Sequence, residues 1–194
     1  KDFRNDYAPA GERIITHISN FRPVKRVEDV VRVFKKIREK IPAKLLLVGD
    51  GPDRHRVEML CRELGTCTDT HIIGKLKKPE EVLCLSDLFI LPSEKESFGL
   101  AALEAMATGV PVISTNTGGL PELNVEGFSG HLSPVGDIDD MAENAIKILE
   151  DDNTLNTFKQ NAKKRAFDFS IEKVLPKYID LYNRVLERQK ESAV

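Results

Sequence analysis

The chain has 194 residues, 41% hydrophobic and 31% charged, and its opposite charges nearly cancel to a formal net charge of −2. That is enough for one domain of good size with a filled core or two very small ones, and the charge balance argues against a nucleic-acid binder that relies on bulk positive charge. No apolar run approaches the roughly 20 residues of a membrane span, and the polar start Lys1-Asp2-Phe3-Arg4-Asn5-Asp6 carries no signal-peptide pattern.

The first apolar run, Arg13 to Ser19, reads as a strand. Val27 to Lys40 has helical periodicity, with Val27, Val30, Val31, Phe34 and Ile37 on one face, and Pro42 stops it. Ala43 to Gly49 is a continuous buried strand, and Arg54 to Leu64 a helix closed by Gly65. Thr70 to Gly74 predicts a short strand, Pro79 to Ser86 a short helix, and Asp87 to Pro92 a buried strand. A helix over 98–108, a strand over Pro111 to Thr115 and a last short strand over Ser129 to Leu132 follow. Three helices, near 137–150, 152–167 and 171–189, close the chain. Nearly all-apolar strands alternating with helices predict an α/β fold: a doubly wound, Rossmann-like parallel sheet of about six strands with helices on both faces. The helical C-terminal tail should pack on that sheet, and residues 1–194 should form a single domain. The first residue is Lys rather than Met, so a piece of a longer protein is expected.

The stretch Ser93-Glu94-Lys95-Glu96-Ser97-Phe98-Gly99-Leu100 leaves a predicted strand and opens a predicted helix that reaches Glu104. Open α/β sheets bind ligands at such junctions. The free amides of a first helical turn attract phosphate, and Gly99 lets a phosphate approach the backbone. On an ideal helix Glu96 and Glu104 would be about 12 Å apart. Glycosidase carboxylates acting on one bond are roughly 5–9.5 Å apart. The two acids therefore fit opposite ends of an extended ligand, with a diphosphate between them at the amides of Phe98, Gly99 and Leu100. Taken singly, each acid is better explained by the favourable field at a helix start or by a solvated face; the full constellation is what favours a ligand.

Arg22, Lys25 and Arg26 form a basic loop between the first strand and the first long helix. Cations there either stabilise a departing anion or form a solvated cluster. Gly49-Asp50-Gly51 partly matches a dinucleotide fingerprint, but Arg54 stands at the third glycine position. It reads either as a tight loop lining a cleft or as an ordinary Gly-Pro turn. His17 reads as a core histidine. His55, His71 and His131 lack metal spacing, so no bound metal is expected. Phe89 and Phe98 read as packing residues, as do Cys61 and Cys84, and Lys163-Lys164-Arg165 as a solvated helix face. With Cys67 the cysteines are odd in number, which fits reduced thiols in a cytoplasmic protein.

Glu96 to Ile113 resembles the E-x7-E signature of family-4 retaining glycosyltransferases. Thr117-Gly118-Gly119-Leu120-Pro121-Glu122 resembles that family's Gly-Gly-x-Pro-Glu loop, and Val48-Gly49-Asp50-Gly51-Pro52 its Gly-x-Gly-Pro turn. These matches occur in the family's order over about residues 14 to 135. Within the family, His17 to Arg26 and Ser93 to Gly99 look most like the bacillithiol-pathway branch that joins N-acetylglucosamine to malate. The resemblance implies the two-domain GT-B fold, with this chain as the C-terminal, donor-binding half and an N-terminal domain supplying most of the acceptor site. It implies a UDP-sugar as substrate, a small-molecule or glycan acceptor and no cofactor. By motif, Glu96 would contact donor-sugar hydroxyls, and Ser97, Phe98, Gly99 and Leu100 the diphosphate, with Glu104 on the ribose. Lys25 takes the family's lysine position. Asn20 stands where the family has arginine, and Arg22 is the nearby substitute. Gly51 would line the cleft, and Lys75 and Leu76 would lie by the base. The alternatives are a non-catalytic nucleotide-binding module, a sugar-nucleotide epimerase of the same architecture, and an NAD-dependent oxidoreductase. The last lacks a glycine triplet after the first strand.

Overall fold

A computed structural model describes residues 3–191, with side chains through residue 188. A helical turn, α1 (Arg4–Tyr7), leads into β1 (Arg13–Asn20), and a short 3-10 turn (Pro23–Lys25) leads into α2 (Val27–Arg38). Then come β2 (Ala43–Asp50), α3 (Arg54–Glu63), β3 (Thr70–Gly74), α4 (Glu80–Leu83), β4 (Leu88–Leu91) and α5 (Leu100–Thr108). They are followed by β5 (Val112–Thr115), α6 (Leu120–Leu123), β6 (Gly130–Ser133), α7 (Ile138–Leu149), α8 (Asp152–Phe167) and α9 (Ile171–Glu191). The six strands form one sheet in the order β3-β2-β1-β4-β5-β6, and every pairing is parallel. This is the expected doubly wound, Rossmann-like α/β arrangement.

Side-chain alternation along the strands divides the core between two faces. Ile15, Leu45, Leu47, Ile90 and Ile113 pack with the apolar sides of α2 and α7 on one face. Ile14, Leu46 and Val48 on the other face meet Val82 of α4. Phe89, Leu91 and Val112 meet Ala102, Ala105 and Met106 of α5 on that second face. Burying an aliphatic side chain of this size stabilises the fold by about 2 kcal/mol.

Several sequence expectations need correction. The helix expected over 98–108 begins at Leu100, because Gly99 is left-handed at φ 94° and cannot continue a helix backward. Cys61 is buried as expected, but Cys84 is exposed. Arg165 is not a solvated cation: its Nε donates to the Leu123 carbonyl at 3.0 Å, another nitrogen donates to the Glu122 carbonyl, and its guanidinium lies over the Phe169 ring. It therefore ties α8 to the end of α6. The helical tail does not pack as a whole. α7 and α8 cover the sheet and α5, whereas Leu175, Tyr178, Tyr182 and Leu186 of α9 stay exposed. No helix among the described residues is long and apolar enough to cross a membrane.

Candidate functional site

Because all six strands run the same way, their carboxyl ends share one edge. Sequence order and spatial order part company between β1 and β4, which are neighbours in the sheet but are followed by helices on opposite faces. A crevice opens at such a switch point. Here it is a recess of about 250 Å³, lined by Ser19, Asn20 and Lys25 from the β1 side and by Glu96, Gly99 and Leu100 from the β4 side.

Two loops meet at this recess. After β1, Pro23 starts the 3-10 turn, and Arg26 at φ 49° redirects the chain into α2. That leaves Lys25 partly buried, with its Nζ 2.5 Å from Glu96 Oε2. Ser93 Oγ donates to the same carboxylate oxygen at 3.4 Å. The Glu94 N–H donates to the Val24 carbonyl at 2.8 Å, so backbone also joins the two loops. Arg26 is occupied elsewhere, pairing with Asp29 at 2.5 Å.

The loop after β5 sets the position of the Glu96 segment. Thr115 Oγ1 donates to the Ser93 carbonyl at 2.6 Å, and Thr117 Oγ1 to the Glu94 carbonyl at 3.2 Å. The Gly119 N–H donates to the Glu96 carbonyl at 3.0 Å. A Cβ on Gly118 would fall 1.9 Å from the Glu96 carbonyl oxygen, and one on Gly119 2.3 Å from that of Ser97. Only glycines permit this approach. Sequence reasoning recognised the glycine pair as a motif but missed that it, with Thr115 and Thr117, positions the site. The available signal was two adjacent glycines directly after a strand.

At the start of α5, Gly99 is buried, and its left-handed backbone aims the opening of the helix at the recess. Its carbonyl accepts from the Leu103 N–H at 3.0 Å. The first amides of the helix have no intrahelical partner, so they present positive charge to the recess. Phe98 precedes the helix and turns away to meet Phe169 edge-on, with ring centroids 5.5 Å apart. Leu100 is 66% exposed at the mouth. Glu104, four residues on, shares its helix face and is exposed.

The other expected residues lie on the same edge but outside the recess lining. Arg22 is exposed, as is Ser97. Lys75 and Leu76 follow β3 and are exposed, two strands away from β1. Gly51 packs under the β1 loop: a Cβ there would come within 2.5 Å of the Phe21 carbonyl oxygen. It packs tightly on the Phe21 backbone, next along the chain from Asn20.

His17 is fully buried in β1, as the sequence implied for a core histidine. Its Nδ1 lies 2.8 Å from the Ile90 carbonyl oxygen, its Nε2 2.7 Å from Ser19 Oγ, and its ring stacks on Phe89. Burial is the main cause that pushes its pKa down to about 4, so the ring is neutral at ordinary pH.

Residues 1–165 match the family model described as glycosyl transferases group 1. The chain is 44% identical over 184 residues to N-acetyl-alpha-D-glucosaminyl L-malate synthase of Bacillus anthracis, a match that covers 94% of this chain and 48% of that protein. Among solved structures it resembles sucrose-phosphate synthase of Thermosynechococcus elongatus, at TM-score 0.82 and 28% identity, over 93% of this chain and 47% of the other. It also resembles HepE of Anabaena in complex with UDP, at TM-score 0.86 and 22% identity, over 94% and 51% of the two chains. That last likeness concerns the fold alone. The chain spans about half the length of the curated relatives it matches.

Proposed function

Since the chain belongs to the group 1 glycosyl transferases, we propose that it is the C-terminal, donor-binding half of a retaining, family-4 enzyme of GT-B architecture. In this reading the whole protein moves N-acetylglucosamine from UDP-N-acetylglucosamine to an acceptor hydroxyl, malate being the acceptor favoured. The observation that carries the reading is the Lys25–Glu96 pair in the switch-point recess beside the opening of α5. The 44% identity to a protein named for N-acetylglucosaminyl and malate supports the choice of sugar and acceptor.

The chemistry follows from charge. Departure of UDP builds negative charge on its diphosphate. The amides at the opening of α5 are fixed nearby and stabilise that charge without reorganising, and the Lys25 ammonium, once it exchanges Glu96 for the diphosphate, adds to them; one such donor contributes about 3 kcal/mol. Glu96 accepts from hydroxyls of the donor sugar. Glu104 accepts from the ribose, further along the exposed face of α5. With Glu96 assigned to the sugar hydroxyls, the direct route that the family resemblance implies is favoured, in which the acceptor attacks from the face that UDP leaves. The acceptor binds mainly to the N-terminal half. The cytoplasm, where sugar nucleotides are made, is the compartment this reading favours.

Calorimetry of the 194-residue chain with UDP, UDP-N-acetylglucosamine and NAD tests the donor assignment. Binding of the uridine compounds and not of NAD is expected; the reverse would sink it. The chain alone should show negligible transfer, because half of the cleft is missing, whereas full-length protein should transfer to malate.

A further inference from the structure

The Ser19 hydroxyl has an unusual constraint. His17 Nδ1 lies 2.8 Å from the Ile90 carbonyl oxygen. A carbonyl only accepts, so Nδ1 must carry the ring proton. The ring is neutral, so Nε2 holds a lone pair. Ser19 Oγ, 2.7 Å from Nε2, must therefore donate its only hydrogen to the ring. No other group among the described residues bonds this hydroxyl. Packing against Phe89 and complete burial prevent the imidazole from turning to release it.

Ser19 lines the recess with Glu96. What it presents there is lone pairs alone. Such a group repels a phosphate oxygen, which is also acceptor-only at neutral pH, and it takes a hydrogen from a hydroxyl or an amide N–H.

We propose that Ser19 is a specificity-determining residue, an acceptor-only hydroxyl held in that state by His17, which receives a hydrogen from the transferred sugar. This deepens the reading of the recess as a donor site and rests on it. Two acceptors, the Glu96 carboxylate and Ser19 Oγ, then line the same recess. That combination suits a sugar rich in hydroxyl and amide hydrogens. The amides at the start of α5 and Lys25, all hydrogen donors, are left for the diphosphate. His17 is a positioning residue: it touches no ligand and acts only by fixing which way the Ser19 hydrogen points.

The test compares UDP with UDP-N-acetylglucosamine on the full-length protein carrying Ser19→Ala. Affinity for the sugar nucleotide should fall about fivefold to tenfold, the worth of one neutral hydrogen bond, while affinity for UDP stays unchanged. Ser19→Thr keeps the hydroxyl and should retain the sugar-nucleotide affinity. Nitrogen-15 NMR of the imidazole should find Nδ1 protonated and Nε2 bare. Equal losses for UDP and the sugar nucleotide, no loss for either, or a protonated Nε2 would each overturn the proposal. Failure of the unsubstituted protein to bind either compound would instead overturn the donor-site reading itself.

Discussion

Lys25 Nζ and Glu96 Oε2 lie 2.5 Å apart, although 71 residues separate them in sequence. The pair bridges the loops after β1 and β4, the two strands between which the order of the sheet reverses. It holds a cation and an anion together in a recess where a ligand carrying both a diphosphate and hydroxyls would need each separately. Donor binding would thus exchange one internal ion pair for two ligand contacts.

Removing the cation should show in the rate. Lys25→Ala in the full-length protein is expected to lower kcat by about a hundredfold to a thousandfold, the usual effect of deleting one preorganised charge-stabilising donor. Steady-state transfer assays read this directly. A Lys25→Ala enzyme with unchanged kcat would remove Lys25 from the mechanism.

Glu104 should act on binding alone. Glu104→Ala is expected to weaken UDP affinity about tenfold, through loss of charge-assisted hydrogen bonds to the ribose. Stability should barely change, because the side chain is exposed. Calorimetry with UDP and a urea melt separate the two effects. Unaltered UDP affinity would favour a different location for the nucleoside.

Gly118 should tolerate no side chain. Its backbone is left-handed at φ 57°, and an added Cβ would lie 1.9 Å from the Glu96 carbonyl oxygen. Gly118→Ala should cost about 2 kcal/mol or more of stability, measured by urea denaturation. Because the clash is with Glu96 itself, donor affinity should fall as well.

Acid should destabilise the fold in two steps. His17 is neutral when folded down to about 4, while the unfolded chain takes up a proton near 6.5. Its contribution is therefore complete above 6.5 and is lost as the pH falls toward about 4. The loss amounts to about 3 kcal/mol. Burial also lowers the pKa of His71, which adds a loss of the same sign as the pH falls below 6.5. His17→Gln should flatten much of that slope in urea melts taken across the window. An unchanged slope would show that His17 titrates normally.

The second step involves Asp87. Burial alone would raise its pKa, but Lys159, Arg4 and the Ile14 N–H together hold it below the usual carboxylate range. Its contribution is present above that range and is lost as pH falls through the depressed value. Arg4 lies 2.6 Å away and Lys159 2.7 Å, on a carboxylate that is almost fully buried. Asp87→Ala removes the carboxylate from Lys159 and the Ile14 amide and one of several partners from Arg4, and should cost about 2 kcal/mol at neutral pH.

Much of this protein could be read from its residues in order. The apolar strands and the periodic helix at Val27 and after fix the alternation of strand and helix, and that alternation is incompatible with anything but a covered parallel sheet. The junction at Ser93 to Leu100 marked the edge where the recess lies, because a strand, a polar loop, a glycine and a helix were adjacent in sequence. Those signals are local, so no folded structure is needed to see them. The start of α5 at Leu100 was not legible, since helix propensity does not reveal that Gly99 would adopt a left-handed backbone. The exposed row on α9 was equally hidden: amphipathic periodicity says that a face is apolar but not what it meets. Contacts between distant residues needed the fold. Lys25 reaches Glu96, Thr115 and Gly118 position the Glu96 segment, and His17 takes the Ser19 hydrogen only because the register of β1 against β4 brings the Ile90 carbonyl to its other nitrogen. Each of these depends on distances set by strand order, and strand order is decided by the packing of the whole chain.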